Sequence, residues 1–232
     1  MARQGAISTL PLSEFALAIF VLSLVLILIV ELPPILVDLS IAINITLGIV
    51  LLMISLFVQK PLELASLPSI ILIGTMFRLV LSVASTRLIL AKGEAGAAVE
   101  AFGTFVTAGN MVVGAVIFII ITIVQFLVIT KGAERIAEVA ARFALDAMPG
   151  KQMTIDADFN AGLISPEEAV SKREDLQRES NLFGSMDGAM KFVKGDTIAG
   201  IIIVAINIIG GLAVGMGMQG MPMADAVGNI LS

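Results

Sequence analysis

An all-α fold is predicted for this chain: a polytopic bundle of transmembrane helices with a small helical loop subdomain on the cytoplasmic side. Three observations predict it. The chain is 58% hydrophobic with a mean hydropathy of +1.03, far more apolar than soluble domains are. Its apolar residues come in runs of about 20, the length that crosses ~30 Å of hydrocarbon. Its charges are gathered rather than spread. Residues 131–196 hold nine of the fourteen basic and twelve of the nineteen acidic side chains.

The first span is expected at Phe15–Val30, closed by Glu31 and the Pro33-Pro34 turn. This run is too long for a cleavable signal, and no small-residue cleavage site follows it. The second, Ile35–Val58, is interrupted by Asp38, Ser40 and Asn44. The third, Leu67–Ala91, carries Arg78 and Arg87. Residues 93–110 are small and weakly apolar, and read equally as a re-entrant amphipathic piece or as a connecting loop. The fourth span, Met111–Thr130, has Gln125 as its one strongly polar residue. Residues 1–130 thus form a membrane part of four helices. Residues 131–196 form the charged loop subdomain. Residues 197–232 form a fifth span, Thr197–Met218, and the start of a sixth near Met223, with the remaining helices expected beyond the chain. Arg3, Lys60 and the 131–194 cluster fall on one side, opposite Glu31, Lys92, Glu94 and Glu100, which puts the N-terminus in the cytoplasm.

Inside the charged segment, Ala133–Ala147 has helical composition and is expected to end at Met148-Pro149-Gly150. Arg135, Arg142 and Asp146 fall within about 40° of one another on one helical face. Arg142 and Asp146 form an i,i+4 pair, and a solvated face is the plain alternative to a functional cluster. "ISPEEA" reads as a helix start, with Ser165 as N-cap, Pro166 at the first position and Glu168 completing a capping box. That helix is expected to reach about Leu182, with Gly184, Gly188 and Gly195 punctuating the return to the membrane.

The residue inventory excludes several chemistries. There is no Cys and no His, which removes the thiolate and the usual zinc ligand and proton shuttle. "PGKQ" is not a phosphate loop, because Leu145 and Gln152 stand where Gly and Ser or Thr are required. No basic patch suits nucleic acid. No catalytic residues, metal site or cofactor are expected, and no enzyme reading survives.

The charges in or beside the spans are the remaining candidates. Arg78 sits near the middle of the third span, where an arginine costs about 2.5–3.5 kcal/mol unless it faces protein or water. Gly74, Ser82 and Ser85 share its face. Matched depth pairs Asp38 with Arg87 and leaves Arg78 without a partner. Asp196 stands where the loop enters the fifth span, as a helix N-cap or as a protonatable carboxylate. Asn207 is placed to hydrogen-bond a neighbouring helix, and the glycines from Gly200 to Gly217 favour close helix packing.

"RIAEVAARFALDAMPGKQMTIDAD", "FRLVLSVASTRLIL" and "GSMDGAMKFVKGDTIAG" resemble the FHIPEP family, large export-gate proteins of flagella and type III secretion injectisomes. "KGAERIAEV" and "GAMKFVKGD" look more like the injectisome branch. The resemblance covers the chain from about residue 35 onward. It implies a bacterial inner-membrane protein in a homo-oligomeric ring of nine subunits, in contact with lipid and other export-apparatus proteins. It also implies export driven by the proton-motive force. The family's cytoplasmic domain, which would meet the secretion ATPase complex, substrates and chaperones, is expected outside these residues. The resemblance marks Arg135, Arg142 and Asp146 as a functional charged cluster, and Asp196, with Asp146, as a candidate for proton coupling. A solute transporter or channel and a purely structural ring scaffold are the competing readings.

Overall fold

Proline and glycine set the ends of the early helices. The computed structural model describes residues 12–58, 61–93, 96–107 and 110–217. Helix α1 is Leu12–Ile29, and α2 (Pro34–Phe57) starts at the second proline of the Pro33-Pro34 pair. A 3₁₀ turn, Pro61–Leu64, leads to α3 (Leu67–Lys92). Gly93 caps α3 in the left-handed region at φ 70°, its N–H returning to the Ile89 carbonyl. A short α4 (Ala97–Thr107) follows, so of the two readings of this stretch a short helical piece holds over residues 97–107. Asn110 caps α5 (Met111–Val124) by accepting the Val112 and Val113 N–H groups. A π-helical turn, Gln125–Thr130, joins α5 directly to α6 (Lys131–Asn160), and α7 (Pro166–Gly217) is the last described helix. Among the described residues there is no strand.

Four helical stretches are long and apolar enough to cross a membrane: Pro34–Phe57, Leu62–Lys92, Val112–Asn160 and Pro166–Gly217. Ala18–Ile29 of α1 is a shorter apolar helix. Most large apolar side chains of these spans are exposed, Ile49, Leu52 and Leu56 of α2 among them, as expected where lipid rather than water is the solvent. A small core gathers Val37, Leu81 and Leu88, flanked by Leu32 and Ile41, and locks α2 to α3. The expected sixth span near Met223, and Arg3, Lys60 and Glu94, lie outside the described residues.

Two sequence expectations about breaks are corrected. Helix α6 does not end at Met148-Pro149-Gly150; it runs 30 residues with Pro149 inside it. Proline forfeits one backbone hydrogen bond and crowds the preceding turn, at about 3 kcal/mol. Two ties to α7 follow the proline and recover part of that cost, about 0.2–1 kcal/mol each for exposed pairs. Lys151 Nζ donates to Glu179 at 2.9 Å, and Arg173 pairs with Asp156. Nor does the next helix stop near Leu182. It continues for 52 residues through Gly184, Gly188 and Gly195. Interior glycine costs only about 0.5–1 kcal/mol relative to alanine, and none of these three adopts the positive φ that would cap the helix.

The α6–α7 hairpin turns at Gly162, φ 72°. Ser165 and Glu168 cap α7 reciprocally: the Ser165 N–H donates to the Glu168 carboxylate at 2.9 Å, and the Glu168 N–H donates to Ser165 Oγ at 3.1 Å. Substituting Ser165→Ala is expected to destabilise the hairpin by about 1 kcal/mol. Pro149→Ala is expected to stabilise it by up to about 3 kcal/mol. Thermal melting of the purified chain in detergent, followed by helical circular dichroism, checks both signs.

Candidate functional site

Because α7 is unbroken, Asp196 lies in the middle of a helix, thirty residues after Pro166. The N-cap reading therefore fails: there is no helix N-terminus for Asp196 to cap. Its carboxylate is 7% exposed, and its ionic partner is Arg78 of α3, with Nε 3.8 Å from Oδ2. The expectation that Arg78 lacks a partner is thus also wrong. Depth along single spans could not reveal this contact, because it joins the third span to a carboxylate carried in by a helix assumed to start at that point.

The pair opens into a cavity of about 320 Å³ bounded by α3, α5, the π-turn and α7. Arg78, Ser82, Ser85 and Thr86 line it from α3; Thr122 and Gln125 from α5 and the π-turn; Asp196, Thr197 and Asn207 from α7. Polar groups thus converge on one cleft between helices whose other faces are apolar, the pattern of a functional rather than a packing void. Asn207 Nδ2 donates to Thr86 Oγ1 at 3.3 Å, fixing α7 against α3.

Beside Asp196, Thr130 and Thr197 place their buried hydroxyls 3.0 Å apart. Thr130 also reaches the Gln125 carbonyl at 2.9 Å, and Thr197 the Val193 carbonyl at 3.1 Å. Two protons serve three contacts, so a hydroxyl that donates to its partner gives up its carbonyl. The i→i+5 contact of Thr130 belongs to the π-turn, a widened turn common at functional positions. Lys194, adjacent in sequence to the Asp196 region, turns away and donates to Glu134 at 2.9 Å, clamping α7 to α6.

The remaining candidates sit elsewhere. Arg135 and Arg142 both meet Glu138 at 3.1 Å, so the expected Arg142–Asp146 pair is not formed. At the same i,i+4 spacing, an acid N-terminal to its base, as Glu138 is to Arg142, is the favoured orientation. All of Arg135, Arg142 and Asp146 are exposed. They lie on the face of α6 away from α7, since the opposite face holds the buried Ala141 and the clamp from Glu134.

The Asp38–Arg87 pairing is likewise corrected. Asp38 accepts the N–H groups of Ala97 and Ala98 at 3.1 and 3.0 Å, capping α4 from another helix. Gly96, φ 89°, sits so close that a Cβ there would strike the carboxylate. Arg87 instead donates to the Ile29 carbonyl at 2.7 Å and lies 3.6 Å from Glu31. Backbone amides with no partner of their own outcompete a guanidinium that reaches the interfacial glutamate.

Residues 24–231 match the FHIPEP family. The chain belongs to this family. It is 53% identical over 214 residues to the low calcium response locus protein D of Yersinia pestis, covering 92% of this chain and 30% of that protein. It is 55% identical over 222 residues to the harpin secretion protein HrpI of Erwinia amylovora, covering 96% and 31%. It is 52% identical over 230 residues to the flagellar biosynthesis protein FlhA of Caulobacter vibrioides, covering 97% and 33%. Identity does not separate the secretion names from the flagellar one. The chain spans about a third of the length of these relatives. No solved structure matches it.

Within this FHIPEP chain, sequence reasoning singled out Arg78 and Asp196 but did not bring them together. It missed Thr130, Thr197 and Glu134 as a group. The available signal was Gln125 and Thr130, polar residues near the end of residues 111–130, which carry no charge. Two double-mutant cycles read the corrected pairing. Arg78→Gln and Asp196→Asn are expected to couple by about 0.5–3 kcal/mol, while Asp38→Asn and Arg87→Gln add to within about 0.5 kcal/mol. Denaturant melts of the four single and two double variants measure both terms.

Proposed function

We propose that this chain is the membrane part of an export-gate component of a type III protein secretion apparatus, seated in the bacterial inner membrane with its N-terminus in the cytoplasm. In this reading Asp196 couples the proton-motive force to export. Nine copies form the ring, with other export-apparatus proteins around it. The secretion ATPase complex, chaperones and substrates meet the part of the protein beyond these residues. Family membership supports the export role, and the names of relatives, which speak of secretion and of flagellar biosynthesis, point the same way.

The single observation that carries the coupling role is the placement of Asp196. It is a buried carboxylate in a polar cavity, opposed by one arginine 3.8 Å away. The same helix carries it into the charged α6–α7 hairpin without a break. Protonation of Asp196 would remove its attraction for Arg78 and free the guanidinium, which is half exposed and has room to move. That change acts on α3 and α7 together, and α7 delivers it to the hairpin. With no histidine in the chain, a carboxylate is the group left to bind the proton.

The scaffold reading draws on one specific feature, the outward face of α6. Asp146 has no ionic partner among the described residues, so it is available for contact with another molecule. Both roles can coexist, since Asp196 lies on α7 and Asp146 on α6.

The decisive variant is Asp196→Asn, which is nearly isosteric but cannot ionise. Export is expected to stop with membrane insertion and assembly intact, and Asp196→Glu to retain part of it. Wild-type export from Asp196→Asn would remove the coupling role. Asp146→Ala is expected to reduce export without changing the melting temperature, measured on the same preparations by secretion assay and thermal melting.

A further inference from the structure

Asp196 and Asn207 are eleven residues apart on α7. Eleven residues return a helix to within about 20° of its starting direction and advance it about 16 Å, so both side chains project toward the same cavity at two depths. Neither is satisfied by the described residues. Asn207 donates through Nδ2 to Thr86, but its Oδ1 is fully buried and accepts no hydrogen bond. The Asp196 carboxylate is 7% exposed, and Arg78 Nε at 3.8 Å lies beyond hydrogen-bond distance. Leaving a buried acceptor unmade costs about 1–3 kcal/mol, more for a charged one. Between the two, Ser82 and Ser85 spend their protons on the Arg78 and Leu81 carbonyls at 3.0 Å, which leaves their oxygens as further acceptors on the cavity wall. The shared demand is for a small hydrogen-bond donor repeated along the helix.

We propose that the cavity holds a column of water running along α7 from Asp196 to Asn207. Its volume of about 320 Å³ accommodates about ten waters at ~30 Å³ each. Water donates to every one of these acceptors and bridges the roughly 16 Å between the two ends. The polar lining ends at Asn207: one turn on, Gly210 packs against Leu90, close enough that a Cβ on Gly210 would sit 3.2 Å from the Leu90 δ-carbon. Asn207 acts as a positioning residue that anchors the innermost water.

The inference rests on the membrane placement proposed above and not on the export role, so its test reads water directly. The chain has no cysteine, which allows single thiols to be introduced. Ser82→Cys and Ser85→Cys are near-isosteric on the cavity wall; Ile202→Cys, on the exposed outer face of α7, is the lipid-facing control at similar depth. In open membrane fragments, a charged methanethiosulfonate reagent reaches both faces but enters only wet sites. The ionised thiol is the reactive species and apolar surroundings suppress it, so both cavity positions should react at least about tenfold faster than Ile202→Cys. An added Asn207→Leu substitution should slow Ser85→Cys. Equal rates at cavity and control positions, or a Ser85→Cys rate unchanged by Asn207→Leu, overturn the proposal. Either result can be obtained whether or not the chain exports protein.

Discussion

A backbone amide left unpaired in hydrocarbon costs several kcal/mol, and that penalty shapes this molecule more than any side chain does. It holds α7 together as a 52-residue helix despite its glycines. Each glycine weakens the helix by a fraction of what a break would cost at membrane depth. The same penalty explains the caps at the ends of the spans. Asp38 reaches across from α2 to satisfy the first amides of α4, and Asn110 serves the first amides of α5. The π-turn at Gln125–Thr130 passes from the apolar α5 to the charged α6 without opening the backbone, its wider turn stitched by Thr130.

With the backbone closed, the few polar side chains in the spans must find one another. They do so in one place. Arg78 meets Asp196, Asn207 meets Thr86, and Thr130 meets Thr197, all on the seam where α7 lies against α3 and the end of α5. The apolar packing is sparse by comparison, with Val37, Leu81 and Leu88 as its centre. Polar contacts in a low-dielectric bundle therefore set the register of α7 on α3, and they also create the only charged group buried there among the described residues, Asp196.

The membrane class, the all-helical architecture and most helix ends were legible in the sequence, because hydropathy and turn residues act locally. The capping box at Ser165 and the junction at Pro33-Pro34 were read for the right physical reason. Pro149 was misread because a local cost does not decide a helix on its own: the Lys151–Glu179 and Asp156–Arg173 ties, which join residues far apart in sequence, hold the segment after it against α7. Asp196 was identified as the residue to watch, yet its surroundings were wrong in kind. A glycine beside an aspartate imitates a helix start, and only the continuity of α7 removes that option. Asp38 and Arg87 matched in depth along their helices, but each met another partner, the α4 amides and Glu31, which a depth count ignores.

The length of α7 has a mechanical side. Asp196 stands about 45 Å from the hairpin end of a helix about 78 Å long. A stiff rod pivoting at that point has arms of about 45 Å toward the hairpin and about 32 Å toward Gly217, and a tilt of about 5° displaces the hairpin tip by about 4 Å, about three-quarters of the rise of one helical turn. The gain of such a lever is only about 1.4, so the whole length of α7, rather than any one contact on it, links its apolar arm to its charged one.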